Sequence, residues 1–519
     1  MQSVSSHAHA QAVAPPEPEL VKGLGLTSAT TLVMGSMIGS GIFIVSADIA
    51  RLVDSPGLLI MAWVVTGFMT VSCALAYGEL AAMMPKAGGQ YVYLRESLGP
   101  LWGFLYGWTM FLVIQTCTIA AVGVAFGKFL GVFFPSISST KWILHLWKAP
   151  PIHVGPMVLG NMDVGLSTQN LVAIIIVIVL TTVNVFGIKT GAVIQNVFTF
   201  AKTAALLGLV IAGVLLFRNP AAVAANFTEF WRVGVRHADL GIASPLVMVV
   251  TLLAVAQVGS LFAADAWNNV TFTAGEVQNP KRNLPLSLAV GTGAVILLYI
   301  LANFAYLNVL PMRGDPHGAT VLARGIQFAT EDRVATAAMI AMLGAAGGAL
   351  MAVAILVSTF GCNNGLILAG ARVYYAMAKD GLFFHQAAHI HPKYRTPVNA
   401  LVVQAVWTSI LCLSGSYGQL LDYTMFAVLV FYILTILGLF VLRRTRPHAE
   451  RPYRAFGYPV LPAIYIVMAI FIEVVLLRYK PQYTWPGLII VLLGIPVYFV
   501  WHHPKSGSSA EERDAWEER

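Results

Sequence analysis

Eleven stretches of this chain carry no Asp, Glu, Lys or Arg over 18 residues or more: 23–47, 55–78, 103–127, 164–188, 240–264, 283–312, 334–371, 396–421, 423–442, 455–472 and 481–503. Each is long enough to cross the roughly 30 Å hydrocarbon layer as a helix. A twelfth apolar segment, 192–217, holds one charge, Lys202. The pattern predicts twelve membrane-crossing helices, numbered 1 to 12 in chain order. Composition agrees, with 10% charged and 58% hydrophobic residues, where a soluble domain carries roughly 25% charge. A soluble multidomain chain and broad disorder are excluded. A transmembrane β-barrel would alternate over segments of about ten residues instead. The expected fold class is an all-α membrane protein.

Orientation follows from the basic residues. With both ends on one side, that side holds 17 Lys/Arg and the other 11, leaving Lys128, Lys202 and Arg372 within helices. The bias puts both termini in the cytosol, with the long connections 135–167, 218–244 and 311–333 outside. The net charge of +8 is this asymmetry, not a nucleic-acid surface, which needs a concentrated basic face. Residues 1–22 are polar and Ala/Pro-rich and read as a disordered tail, as does 504–519. The four cysteines, at 73, 117, 362 and 412, all fall inside spans, so neither a disulfide framework nor a zinc site is expected. In the loop 279–285, Pro280 and Pro285 are expected to stop one helix and start the next.

Helix 1 contains Gly35-Ser-Met-Ile-Gly39-Ser40-Gly41-Ile-Phe43, a poor helix by propensity. Two readings stand: an unwound segment lining a cavity, or a packing face, since Gly35 and Gly39 have Gly-x-x-x-Gly spacing. Helix 6 runs into Phe262-Ala-Ala-Asp265-Ala-Trp267-Asn268-Asn269. An aspartate at helix centre costs about 2.5–3.5 kcal/mol on insertion scales, so it faces a partner or a cavity. Two interrupted, polar helices five spans apart point to a transporter site. Free N–H groups at one break suit an anion and free carbonyls a cation, so a zwitterion fits both.

These segments resemble the amino acid–polyamine–organocation superfamily, closest to the bacterial branch of the L-type amino acid transporter family. The resemblance is carried by Gly39-Ser40-Gly41-Ile42-Phe43, by Tyr77-Gly-Glu79-Leu80 with Pro85 to Glu96, by Asp265-Ala-Trp267-Asn268 with Glu276-Val-Gln-Asn279-Pro280, and by Gly361-Cys-Asn-Asn364-Gly365 with Arg372 to Gly381. It spans about residues 22 to 445. It implies a five-plus-five inverted repeat with helices 1 and 6 unwound, a core over 23–445, and two further helices over 446–503. It also implies that the Ser40 and Gly41 N–H groups hold a substrate carboxylate. Carbonyls of Met37 and Phe262, with Asp265, would hold the amino group, and Phe262 and Trp267 would gate the pocket. Lys202 would stand where sodium-driven relatives bind an ion, with Thr359 and helix 1 carbonyls as partners. Ala264 and Ala266 depart from the family's usual helix 6 pattern, so side-chain specificity does not carry over.

The implied function is secondary active transport of amino acids in the inner (plasma) membrane, sodium-independent, by exchange or proton linkage. Neutral amino acids are the first expectation and cationic ones the second. No cofactor or metal is implied. No cysteine lies in 135–167, so a disulfide-linked accessory subunit is not expected. Asp265 competes between two roles, N-cap of the second half of helix 6 or substrate contact. Glu79 reads as a loop ion pair or part of a gate. His385, His389 and His391 are too loosely spaced for a metal site, and Asn226-Phe-Thr228 is a weak glycosylation pattern. Nucleophile elbows, zinc-protease and phosphate-loop motifs are missing, so an enzyme is not expected. An amino-acid sensor that binds without transport is the alternative.

Overall fold

The computed structural model describes residues 20–501 apart from 151, 155, 156, 160, 161, 235–241, 243 and 414–416. The expected tail 504–519, and 1–19 of the expected tail 1–22, lie outside the described residues.

Among the described residues, eleven helices are long and apolar enough to cross a membrane. Helix 1 is Leu26–Met37 and, after a break, Gly41–Ile44 continued by Ser46–Val53. Helix 2 is Pro56–Met83, started by Ser55 as N-cap and Pro56 in its first turn. Helix 3 runs from Pro100 to Leu130 through a π-turn at Met110–Ile114. Helices 4 and 5 are Thr168–Val185 and Ile188–Ile211. Helix 6 is Pro245–Ala263 and, after a second break, Asn269–Phe272. Helix 7 is Pro280–Val309. Helix 8 lies within Val334–Lys379, which bends at Gly344 with φ 66°. Helices 10, 11 and 12 are Tyr417–Thr445, Val460–Tyr479 and Pro481–Trp501.

Three expectations need correction. Helix 9, Val398–Cys412, has only 15 residues, short of the roughly 20 that span a bilayer. Its predicted run reached 421, but helix 10 already begins at Tyr417; apolarity alone does not place the turn. Next, the chain is not wholly α-helical. Trp142–Ala149 pairs antiparallel with Met162–Ser167, and Ile152–Val154 with Met157–Leu159. The segment Trp142-Ile-Leu-His-Leu-Trp147 is aromatic and branched, which favours strands, and outside the bilayer water can satisfy open edges. Finally, only Pro280 starts helix 7; Pro285 lies inside it.

Helix 7 packs along helix 2 and the first half of helix 1, while helix 8 packs along helices 5, 3 and 1. The broken helices are thus enclosed by long continuous ones. At the face where helix 1 begins, the chain is tied shut. Gly23 and Leu24 N–H groups donate to the Glu276 carbonyl, and Gly88 N–H to Phe272. Glu276 and Arg372, both fully buried, form a two-pronged pair at 2.9 and 3.2 Å. Glu79 accepts from Arg443 at 2.6 and 3.0 Å and from Arg451 at 3.2 Å. The ion-pair reading of Glu79 therefore holds, between helix 2 and the end of helix 10. Asp380 takes the Tyr91 hydroxyl at 2.7 Å and pairs with Arg95. Burial opposes ionisation of Glu96, but its Arg95 hydrogen bond and Arg446 hold the carboxyl below its usual range.

Candidate functional site

The first break is Ile38–Ser40, where the backbone leaves helical geometry at Ile38 (φ −74°, ψ 83°). Its carbonyls lose their helical donors and must find others. Lys202, buried at 1% exposure, supplies them. Its ammonium donates to Gly35 O at 2.5 Å, Ile38 O at 2.7 Å and Ser358 O at 3.4 Å. Lys202 does not snorkel to the surface; it is spent on helix 1. The helix 8 partner is Ser358, not Thr359. The Thr359 hydroxyl donates back to Ile355 and Leu356 of its own helix, a common arrangement for a helical threonine. The Ser358 hydroxyl meets Ile38 O and Gly39 O at 3.0 and 3.1 Å, and Cys362 Sγ meets Ser36 O at 3.1 Å. Sequence reading missed Ser358 and Cys362; their spacing along one helix face opposite Lys202 was the available signal.

The Met37 carbonyl, expected to hold an amino group, already accepts from Gly39 N–H and from Tyr299 Oη, each at 2.8 Å. Ser40 is the N-cap of the second half of helix 1, which Gly41 begins. Helix 1 is unwound at Ile38–Ser40, and its glycines also serve as a packing face. A Cβ on Gly35 would collide with Gln195 and Thr199 of helix 5, and one on Gly39 would sit 2.9 Å from Cys362 Sγ. On Gly41 it would lie 2.5 Å from Ala263 Cβ and 2.7 Å from Ala263 Cα, so the two broken helices meet almost backbone to backbone. Gly41→Val is expected to abolish substrate binding while the protein still inserts, as read by labelled amino acid binding to detergent-purified protein. Wild-type affinity in that mutant would take Gly41 out of the substrate contacts.

The second break is Ala264–Asn268. Ala266 turns the chain with φ 66°, a conformation that costs an L-residue about 1–2 kcal/mol. The Phe262 carbonyl accepts from Asp265 N–H at 3.2 Å. Asp265 does not act as the N-cap of Asn269–Phe272: that position is Asn268, with no side-chain cap. Its carboxylate instead takes the Tyr432 hydroxyl of helix 10 at 2.5 Å. The Asn268 amide donates to Gln90 at 3.0 Å. Trp267, buried at 1% exposure, stands edge-on to Tyr77 (4.8 Å between centroids) and lies against Tyr432 at 5.3 Å.

Two small cavities flank the Asp265–Tyr432 contact. One, lined by Gln90, Gln115, Thr118, Asn268 and Asn269 among others, holds about 10 Å³, room for about one water. The π-turn of helix 3 forms its apolar wall through Met110 and Ile114; such turns recur at functional sites. The other, of about 10 Å³, is lined by Thr70, Cys73, Trp267 and Tyr465. The structure thus brings Asp265, Trp267 and Asn268 to one cavity system. Gly39, Ser40 and Gly41 line neither cavity, because helix 1 is pressed against helix 6.

Two weaker sequence signals resolve. Asn226 is buried at 2% exposure, with its amide bonded to Leu307 O and Leu310 O and accepting from Met312 N–H, so its sequon is structural. Among the described residues no group of His, Cys, Asp or Glu is placed to hold a metal.

Two helices broken at facing polar segments lie inside a bundle of membrane-length helices, and the family that matches the chain is one of membrane permeases, not enzymes. The chain belongs to the amino acid permease family, whose model matches residues 24–500. It is 28% identical over 482 residues to the serine/threonine exchanger SteT of Bacillus subtilis (strain 168), covering 92% of this chain and 97% of that protein. It is 30% identical to the human large neutral amino acids transporter small subunit 2, covering 93% and 82%. It is 27% identical to the human b(0,+)-type amino acid transporter 1, covering 96% and 91%.

Proposed function

We propose that this protein exchanges neutral amino acids across the plasma membrane without sodium, by alternating access between five-plus-five repeats. The observation that carries the reading is the Lys202 ammonium seated on the helix 1 carbonyls. A fixed cation there does what a bound sodium ion would do, holding the unwound segment against helix 8. Helix 1 and helix 6 then supply the substrate contacts: Ser40 and Gly41 N–H groups for the carboxylate, and the Phe262 carbonyl for the amino group. Met37 joins them only if Tyr299 lets go. Trp267, between Tyr77 and Tyr432, is suited to close the pocket toward the face where helix 1 begins, which we assign to the cytosol from the basic residues gathered there. Exchange fits the named activity of the bacterial relative. A neutral substrate fits an Asp265 whose carboxylate is engaged by Tyr432. No disulfide-linked subunit is invoked, since all four cysteines are buried and unpaired.

The test is uptake of each labelled amino acid into liposomes holding purified protein, with and without internal amino acid, and in sodium or choline. Exchange of neutral amino acids that persists in choline is expected. A sodium-gradient requirement would overturn the role of Lys202, and no transport of any amino acid would sink the whole reading. In the same assay Asp265→Asn is expected to keep neutral exchange within about threefold. Its amide oxygen still accepts from Tyr432, and the net worth of such a bond is about 1 kcal/mol. Selective loss of Lys, Arg or ornithine transport would instead make Asp265 a charge-recognising group.

A further inference from the structure

Among the described residues four carboxylates are buried: Asp54, Glu79, Glu276 and Glu473. Three of them are each held by arginine, Asp54 by Arg313, Glu79 by Arg443 and Arg451, and Glu276 by Arg372. Glu473 is the exception. It is 7% exposed, and neither carboxylate oxygen has a hydrogen-bond partner. It lies thirteen residues into helix 11 and six before its end at Tyr479, about 9 Å along the axis from that end, within an apolar helix long enough to cross a membrane. A bare carboxylate there is strongly disfavoured, whereas the protonated carboxyl is a neutral group.

Helix 11 packs against helices 2, 10 and 12 and the first half of helix 6. The titratable and charged side chains described on them are few. Helix 2 carries Cys73, Tyr77 and Glu79, and the last is taken by its arginines. The first half of helix 6 carries none. Helix 10, from Thr424 on, carries Tyr432, Arg443 and Arg444, and helix 12 carries Tyr498. Helix 11 itself carries Tyr465, Arg478 and Tyr479. No cation among them contacts Glu473. The buried face that holds Glu473 also presents Tyr465, which lines the cavity with Cys73, Asp265 and Tyr432. Glu473 thus sits on a face continuous with the transport site yet outside the substrate contacts.

We propose that Glu473 is a proton-binding site that carries one proton through each transport cycle, a role that rests on the transport reading above. Water at an open face protonates the carboxylate, the neutral carboxyl travels through the closed conformation described here, and opening to the other face returns the proton to water. No bond to the substrate forms or breaks. Because the closed conformation accepts the protonated form far better than the ionised one, proton binding shifts the balance of conformations.

The test uses the full chain in liposomes, with labelled neutral amino acids and an inward gradient of about one pH unit. In exchange the outgoing half-cycle carries a proton back, so the gradient drives no net accumulation; it sets how fully Glu473 is protonated at the open face. Wild-type exchange is expected to speed up when the outer face is made one unit more acidic, by up to about tenfold where the carboxyl is mostly ionised. Glu473→Gln, which mimics the protonated group, is expected to exchange at the wild-type rate and show no response to the gradient. Glu473→Met keeps the volume without a titratable group and is expected to behave alike, which covers the case in which the glutamine variant is not recovered folded. A gradient response equal to wild type in either variant, or a wild type that exchanges amino acids yet ignores the gradient, overturns the site. A wild type that neither exchanges nor accumulates any amino acid removes the transport reading instead.

Discussion

Lys202→Ala is expected to reduce amino acid exchange by on the order of 10- to 100-fold. Deleting the ammonium strips Gly35 O of that bond and leaves Ile38 O with the Ser358 hydroxyl alone, and a buried group left unsatisfied costs about 1–3 kcal/mol. One such loss already corresponds to about tenfold in an equilibrium. The cost falls on the conformation in which helix 1 is unwound and seated on helix 8, so transport is lost before the fold is. Lys202→Met separates charge from bulk: it fills the space between helices 1, 5 and 8 but donates nothing, and should be nearly as inactive as the alanine variant. Initial exchange rates of protein reconstituted at equal amounts, in sodium and in choline, are the measurement. A Met variant with wild-type exchange would make Lys202 a packing residue. A variant that regains exchange only in sodium would show the carbonyls accepting an ion in place of the ammonium.

The second large effect concerns the Glu276–Arg372 pair. Both side chains are at or below 1% exposure, and Arg372 also donates to Leu368 O at 2.7 Å. Removing one partner of a buried pair strands the other and costs about 3–5 kcal/mol. Glu276→Leu and Arg372→Leu are each expected to give poorly folding protein, with a lowered melting temperature in detergent. Replacing both by leucine should recover much of that loss, because two apolar groups leave no stranded charge. The position of the pair makes the double variant informative. Arg372 lies on helix 8, and Glu276 follows the broken end of helix 6, with its own carbonyl holding Gly23 and Leu24. If the pair latches this face, the restored double variant will be stable yet exchange substrate abnormally. Normal exchange in the double variant would make the pair structural alone.

The bundle was legible in the sequence because a bilayer leaves few choices. Backbone groups must be satisfied within each span, so an uncharged run of 18 residues becomes a helix wherever its partners lie. The two breaks were legible for a related reason: Gly39-Ser40-Gly41 and Asp265 beside Asn268 and Asn269 are residues that a continuous apolar helix would not carry. Lys202 stood out as the one charge inside its apolar segment. What no run or motif reveals is pairing across the bundle. Whether Lys202 reaches Ser358 or Thr359 depends on the rotation of helix 8, a matter of about 100° for one residue. Asp265 was equally able to cap its own helix or reach a neighbour, and only the approach of helix 10 brought Tyr432 within hydrogen-bond distance. The arginine partners of Glu79 and Glu276 lie 364 and 96 residues away in the chain, and the isolation of Glu473 is likewise a fact about what surrounds it. Local sequence decided where the helices run and where they fail, because solvation acts on each segment separately. Tertiary packing decided which buried polar groups meet, because that depends on the rotation and register of helices distant in the chain.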